Sequence, residues 1–315
     1  SLGDPSGIGP EVFIKAINDQ KLRQHLSKII LVSSSKVIEG AISAIGVKQK
    51  INLISDIKNA QPNSINLINV DGCTDFVLGE PTLNNSEFIV DCLSKAADLA
   101  LTNSSCLVTG PLNKSIIQKH VQNFTGHTEF LKRKFNTNEV LMYMTNGNLH
   151  LGILTTHIPL KEVPNAISRD LIKNKYKLLH HGLVDIFKLA SPKIAVLGIN
   201  PHAGEFGTIG NEEQNTILPA IDELRDEGYD AYGPVSADTV FTQTKYDAVL
   251  SMYHDQALPV LKTIDFNKTV NITLGLPFLR VSVDHGTAED IAKSYSANYE
   301  SMMEALLISI ARNEA

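Results

Sequence analysis

Two rhythms of apolar residues alternate along this chain. Short continuous runs, Lys28–Val32, Ile65–Val70, Leu149–Leu154, Ile194–Ile199 and Ala248–Met252, read as buried β-strands, and Ile51–Leu53 as a shorter one. Between them the pattern turns helical over Ser35–Ile45, Ser86–Leu101, Ser168–Leu189, Glu212–Glu227 and Tyr299–Arg312. In Ser86–Leu101 the apolar stripe is Phe88, Cys92, Leu93 and Ala96; in the last helix it is Met303, Leu306, Leu307 and Ile310. Pro10 opens a helix over Glu11–Ile17, because a proline is harmless where the first N–H groups have no helical acceptor. Cys106–Val108 leads through the turn Thr109–Lys114 into another helix. The alternation, with no repeat or linker, implies an α/β fold with a largely parallel sheet. Two intimate α/β/α domains with a cleft between them are expected, one from residues 1–125 plus 285–315 and the other from 126–284. The opening Ser1-Leu2-Gly3-Asp4 reads as the end of a strand whose beginning would precede Ser1.

Composition narrows the function. An apolar content of 43% over 315 residues supports a substantial core. The net charge of −6 argues against nucleic acid, whose binders show a basic face. Cys73, Cys92 and Cys106 have neither metal-finger spacing nor an even count, so a reducing cytoplasm is the expected setting. No run is long and apolar enough for a membrane span, and no leader pattern is evident.

Polar motifs sit where the apolar runs end. His157 (Thr155-Thr156-His157-Ile158-Pro159), His202 (Asn200-Pro201-His202-Ala203-Gly204-Glu205) and His254 (Tyr253-His254-Asp255-Gln256) each follow a strand. Strand ends in α/β folds gather ligands, and three neutral imidazoles suit a divalent metal with positions left open for substrate. The alternative for each is a loop histidine satisfied by hydrogen bonds. Gly3-Asp4-Pro5-Ser6-Gly7-Ile8-Gly9-Pro10-Glu11 has the wrong spacing for a dinucleotide fingerprint, lacks the lysine of a P-loop, and carries two acids that would repel phosphate; it reads as a structural turn. His127 and Thr128 precede a helix over Glu129–Lys134, where they either bind an anion or, through Thr128, cap the helix. Lys262, Asn271 and Arg280 form a basic and polar set, with Arg280 embedded in the apolar run Leu276–Val283. Asp284-His285-Gly286-Thr287-Ala288 reads as a turn into a helix capped by Thr287. The loop Gly233–Thr239 carries Asp238, which either aids catalysis or belongs to the cap of a helix from Thr239.

Taken in order from Gly3 to Ala292, these motifs, together with Thr109-Gly110-Pro111-Leu112-Asn113-Lys114, resemble the PdxA family of 4-hydroxythreonine-4-phosphate dehydrogenases of vitamin B6 synthesis. The resemblance implies a fold similar to isocitrate and isopropylmalate dehydrogenases, without an ordinary Rossmann fingerprint. It implies NAD- or NADP-dependent oxidation of 4-phosphooxy-L-threonine at its C3 hydroxyl, then decarboxylation to 3-amino-2-oxopropyl phosphate. It also implies a homodimer whose active site is shared between subunits, and a divalent cation (zinc, magnesium or cobalt) held by His157, His202 and His254. By the same resemblance His127, Thr128, Lys262, Asn271 and Arg280 contact substrate, and His285, Gly286, Thr287 and Ala288 receive the adenosine end of the cofactor. Lys262 would accept or donate the proton, with Asp238 the second candidate. Two rivals stand beside this reading: a dehydrogenase of a related four-carbon acid phosphate such as erythronate or threonate 4-phosphate, and a phosphotransacetylase-like acyltransferase.

Overall fold

The computed structural model describes residues 1–122 and 124–314. Its strands are β1 (Ile30–Ser33), β2 (Lys50–Leu53), β3 (Ser64–Asn69), β4 (Leu107–Thr109), β5 (Leu141–Thr145), β6 (His150–Thr155), β7 (Ile194–Leu197), β8 (Ala231–Val235), β9 (Ala248–Tyr253), β10 (Val270–Leu274) and β11 (Arg280–Val283). The chain divides into two units, Ser1–Asn136 with Leu276–Ala315, and Thr137–Gly275.

In the first unit β1, β3 and β2 pair in parallel in that order, and β4 pairs in parallel with β11. Helix Gly9–Asn18 packs on helices Ser35–Ile45 and Glu300–Glu314, and helix Ser86–Thr102 covers β1 and β4. The apolar stripes meet in one core that includes Val12, Ile14, Leu31, Ile38, Leu67, Leu93 and Met302. Ser1 runs beside β4, its amino group donating to the Val108 carbonyl at 2.9 Å while Gly110 N donates to the Ser1 carbonyl at 2.8 Å. The adjoining loop passes so close to Pro111 that a Cβ on Gly3, at φ 77°, would lie 1.8 Å from the Pro111 carbonyl oxygen; only glycine fits there.

In the second unit the strand order is β10-β5-β6-β9-β7-β8. β6, β9, β7 and β8 are parallel, whereas β5 runs antiparallel to both β6 and β10. β10 therefore runs in the same direction as β6, so the sheet of this unit is largely parallel, with β5 the one reversed strand. The four-residue connection Asn146–Leu149 of the β5–β6 hairpin opens with Asn-Gly, and Asn146 Oδ1 accepts from Asn148 N and Leu149 N across it, a local signal that the periodicity reading passed over. β7 is buried at every position because helices cover both faces, which is why it reads as unbroken apolar sequence. Helix Arg169–Phe187 packs on β5, β6 and β10, and helix His254–Ile264 packs on β6 and β9.

Two expectations give way. No helix follows Thr287: the chain there forms turns, with Ala288 at φ 45° and Tyr295 at φ 51°, values that break a right-handed helix. Only the single 3₁₀ turn Val240–Thr242 follows Thr239. No helix among the described residues is long and apolar enough to cross a membrane.

Candidate functional site

Parallel pairing of β6, β9 and β7 turns their carboxyl ends to one edge of the second unit's sheet. His254 is the first residue of the helix that follows β9, and His157 and His202 lie just beyond β6 and β7. The His157 and His254 ring centroids are 5.9 Å apart. Two imidazoles on one cation, with bonds of about 2.1 Å, have centroids about 5–6 Å apart, so this pair fits a shared metal. His254 Nδ1 lies 2.7 Å from the Asp255 carboxylate, and His202 Nδ1 3.7 Å from that of Asp238. The Asp255 carboxylate, at hydrogen-bond distance, fixes the His254 tautomer whose Nε2 is left to ligate, whereas Asp238 stands by His202 as a charge and not as a hydrogen-bond partner. The Ser236 hydroxyl, with His202 beside it, holds the Asp238 carboxyl below the usual range. In one chain no group of three His, Cys, Asp or Glu among the described residues stands in metal-binding geometry. β6 and β7 flank β9, so the strands leading to His157 and His202 are about 10 Å apart.

The loop bearing His202 has an uncommon backbone. His202, Ala203, Gly204, Glu205 and Phe206 are all left-handed, with φ between 42° and 77°. His157, at φ 36°, is left-handed as well. Such strain persists only where surroundings impose it, and it gathers at functional sites. Here the surroundings include Glu213, 3% exposed. Its carboxylate accepts from Ile199 N and Asn200 N at 2.8 Å each and from Asn200 Nδ2 at 2.9 Å. Sequence reasoning passed over Glu213 because an acid in a helical stretch reads as solvated. Lys262 lies about 12 Å along its helix from His254, with its ammonium 5.4 Å from the Phe266 ring centroid. Asn271 sits in β10 opposite Met144 of β5.

The first unit brings His127, Thr128 and Arg280 together. Arg280 opens β11 and is 4% exposed. Its Nε and Nη2 donate to the Thr109 hydroxyl at 3.2 and 2.9 Å, and Nη1 to the Thr128 hydroxyl at 3.5 Å. Burial brings its pKa down to about 10, which leaves it cationic near neutrality. Thr128 is inside helix His127–Lys134, whose cap position is Gly126 with no side-chain cap; the Thr128 cap is therefore replaced by an Arg280 contact. Burial foremost, then the Arg280 and Lys114 charges, hold His127 neutral well below its ordinary pKa. Cationic guanidinium, hydroxyls, a neutral imidazole and first-turn N–H groups together make an anion receptor. Thr109, at the end of β4, is the member not named from sequence; a buried arginine demands acceptors, but only pairing of β4 with β11 supplies this one.

In the loop after β11, His285 Nδ1 lies 2.9 Å from the Gly286 carbonyl, while its Nε2 is buried without a hydrogen-bond partner. Burial lowers the His285 pKa, so Nε2 is a waiting acceptor. Gly286 is exposed and faces open space, and Thr287 is buried against Gly7. An orphaned acceptor beside bare backbone suits a hydroxyl- and amine-bearing group such as a nucleoside.

Comparison with known proteins agrees with the motif order. Residues 25–309 match the family model described as pyridoxal phosphate biosynthetic protein PdxA. A 4-hydroxythreonine-4-phosphate dehydrogenase from Klebsiella pneumoniae is similar at 33% identity and a TM-score of 0.90, over 99% of this chain and 96% of that one. One from Burkholderia phymatum is similar at 32% identity and a TM-score of 0.86, over 99% and 96%. A branched-chain phosphotransacylase from Enterococcus faecalis, at 12% identity and a TM-score of 0.52 over 90% and 98%, shares the fold alone. The chain therefore belongs to the PdxA family.

Proposed function

We propose that this protein is a dehydrogenase that oxidises the C3 hydroxyl of 4-phosphooxy-L-threonine with NAD, or NADP, and releases CO₂ to give 3-amino-2-oxopropyl phosphate. The observation that carries the reading is the buried Arg280 corner with His127 and Thr128, built to hold an anionic end of a small acid. Arg280 and Thr128 fix that end, and Asn271 and Lys262 complete the contacts. Lys262 moves the hydroxyl proton, with Asp238 the second candidate. His285, Gly286, Thr287 and Ala288 receive the adenosine end of the cofactor, which when bound supplies the hydride acceptor. The donor set His157, His202 and His254 suits a divalent cation, which when bound supplies Lewis acidity towards an alcohol and its ketone. We read this set as completed between two copies of the chain, and the protein as a homodimer. An acyltransferase reading rests on fold likeness alone and leaves the oriented histidines idle.

The test is NADH formation with 4-phosphooxy-threonine and with erythronate 4-phosphate, each with and without EDTA. Turnover of the first, abolished by chelation, is expected. His254→Ala should lose both turnover and bound metal while keeping its circular dichroism; full activity of that variant after exhaustive chelation refutes the metal assignment, and turnover of erythronate 4-phosphate alone refutes the substrate.

A further inference from the structure

We propose that Lys114 is a further substrate-binding residue, whose ammonium adds a second positive charge to the Arg280–Thr128 corner and commits that corner to a phosphate dianion rather than a carboxylate. The inference rests on reading the corner as the substrate's anion site. Lys114 begins the short helix Lys114–Ile117, and its backbone is held by neighbours: Asn113 Oδ1 accepts from Ile116 N at 3.2 Å, and Asn113 Nδ2 donates to Glu289 Oε1 at 2.9 Å. From there the lysine side chain runs across Gly126. A Cβ on Gly126 would stand 3.2 Å from Lys114 Cε, 3.5 Å from Cδ and 3.6 Å from Nζ, and the glycine is at φ 139°. The absent side chain is what lets an extended lysine lie there, with its ammonium beside the first turn of helix His127–Lys134. That turn carries His127, whose ring feels both the Arg280 and Lys114 charges. Glu289, which holds Asn113, also accepts from the Thr287 hydroxyl at 2.7 Å.

The electrostatic logic follows. A monoanionic carboxylate is matched by one guanidinium, whereas a phosphate near neutrality carries close to two charges and three acceptor oxygens, so it gains from a second cation at an angle to the first. Lysine, as a compact charge with three donors, suits the oxygen that a planar guanidinium fork leaves over.

The experiment titrates inorganic phosphate, and acetate as a monoanion, into wild-type protein, K114Q and K114R by calorimetry, and measures kcat and KM of the same proteins with 4-phosphooxy-threonine. Lys114 is exposed, so the variants should keep the wild-type thermal midpoint. K114Q is expected to lose about 10- to 100-fold in phosphate affinity, the range for one charged hydrogen bond, with acetate binding changed less than threefold and K114R retaining most of the affinity. In turnover KM should rise by a similar factor with kcat nearly constant. Wild-type affinity for phosphate in K114Q, equal loss for acetate, or no phosphate binding by the wild type overturns the proposal. Failure of the dehydrogenase reading shows separately, as absent turnover in a wild type that still binds phosphate through Lys114.

Discussion

Replacing Glu213 with alanine should release the loop that presents His202. Five consecutive residues, His202–Phe206, are left-handed, and four of them are not glycine. At about 1–2 kcal/mol for each such residue, the segment stores about 4–8 kcal/mol. Against this stand three hydrogen bonds to one buried carboxylate, from Ile199 N, Asn200 N and Asn200 Nδ2. Bonds to a charged acceptor contribute about 1.5–3 kcal/mol each, so the three together give about 4.5–9 kcal/mol. The two sums are comparable, which makes the carboxylate decisive for the loop's handedness. Glu213→Ala should lower unfolding free energy by about 3–5 kcal/mol, part of the loss being relieved as the loop relaxes to right-handed backbone. Glu213→Gln should cost about half as much, because its amide nitrogen would face the Asn200 Nδ2 donor and lose one bond of three. Urea denaturation gives the energies, and hydrogen exchange on peptides covering 199–209 reports the loop. If Glu213→Ala unfolds within about 0.5 kcal/mol of wild type and exchange over 199–209 is unchanged, the carboxylate does not hold the strained turn.

Stability should also decline in mild acid. Burial lowers His150 to about 4, where Tyr143 and Thr145 hydroxyls contact its Nδ1, against about 6.5 in the unfolded chain. The unfolded state takes up the proton first, so stability present above pH 6.5 falls as pH drops towards 4, by roughly 3 kcal/mol from this group, and His127 adds to the same slope. Urea titrations between pH 7.5 and 5 test this: a flat profile, or one whose slope His150→Gln leaves unaltered, contradicts it. Asp255→Ala should weaken zinc binding by about 10-fold or more in calorimetry, because His254 then loses the partner that orients its ring; unchanged affinity would show that Asp255 plays no part.

Much of the fold was legible because burial writes itself into local periodicity. Ser35–Ile45 has the same ends in sequence and structure, and Ser86–Thr102 and Arg169–Phe187 differ from their readings by one or two residues at an end. The loop after Thr287 misled for a local reason as well: a hydroxyl with acids behind it is a good helix start, but the Thr287 hydroxyl donates to Glu289 and its carbonyl accepts from Ile8 N instead. At the site, the sequence marked His157, His202, His254, His127 and Arg280 as unusual by their places at strand ends or inside an apolar run.

What the chain alone determined is where its strands and helices lie and which polar residues interrupt them, since both follow from neighbours within a turn or two. The tertiary structure decided partnership. It chose the antiparallel β5, set His157 beside His254, gave Arg280 the Thr109 and Thr128 hydroxyls, put Glu213 under a left-handed turn, and laid Lys114 across a glycine. Each of these depends on groups brought together by strand order or loop packing, whose free energy is shared over the whole core and leaves no mark in any short stretch of sequence.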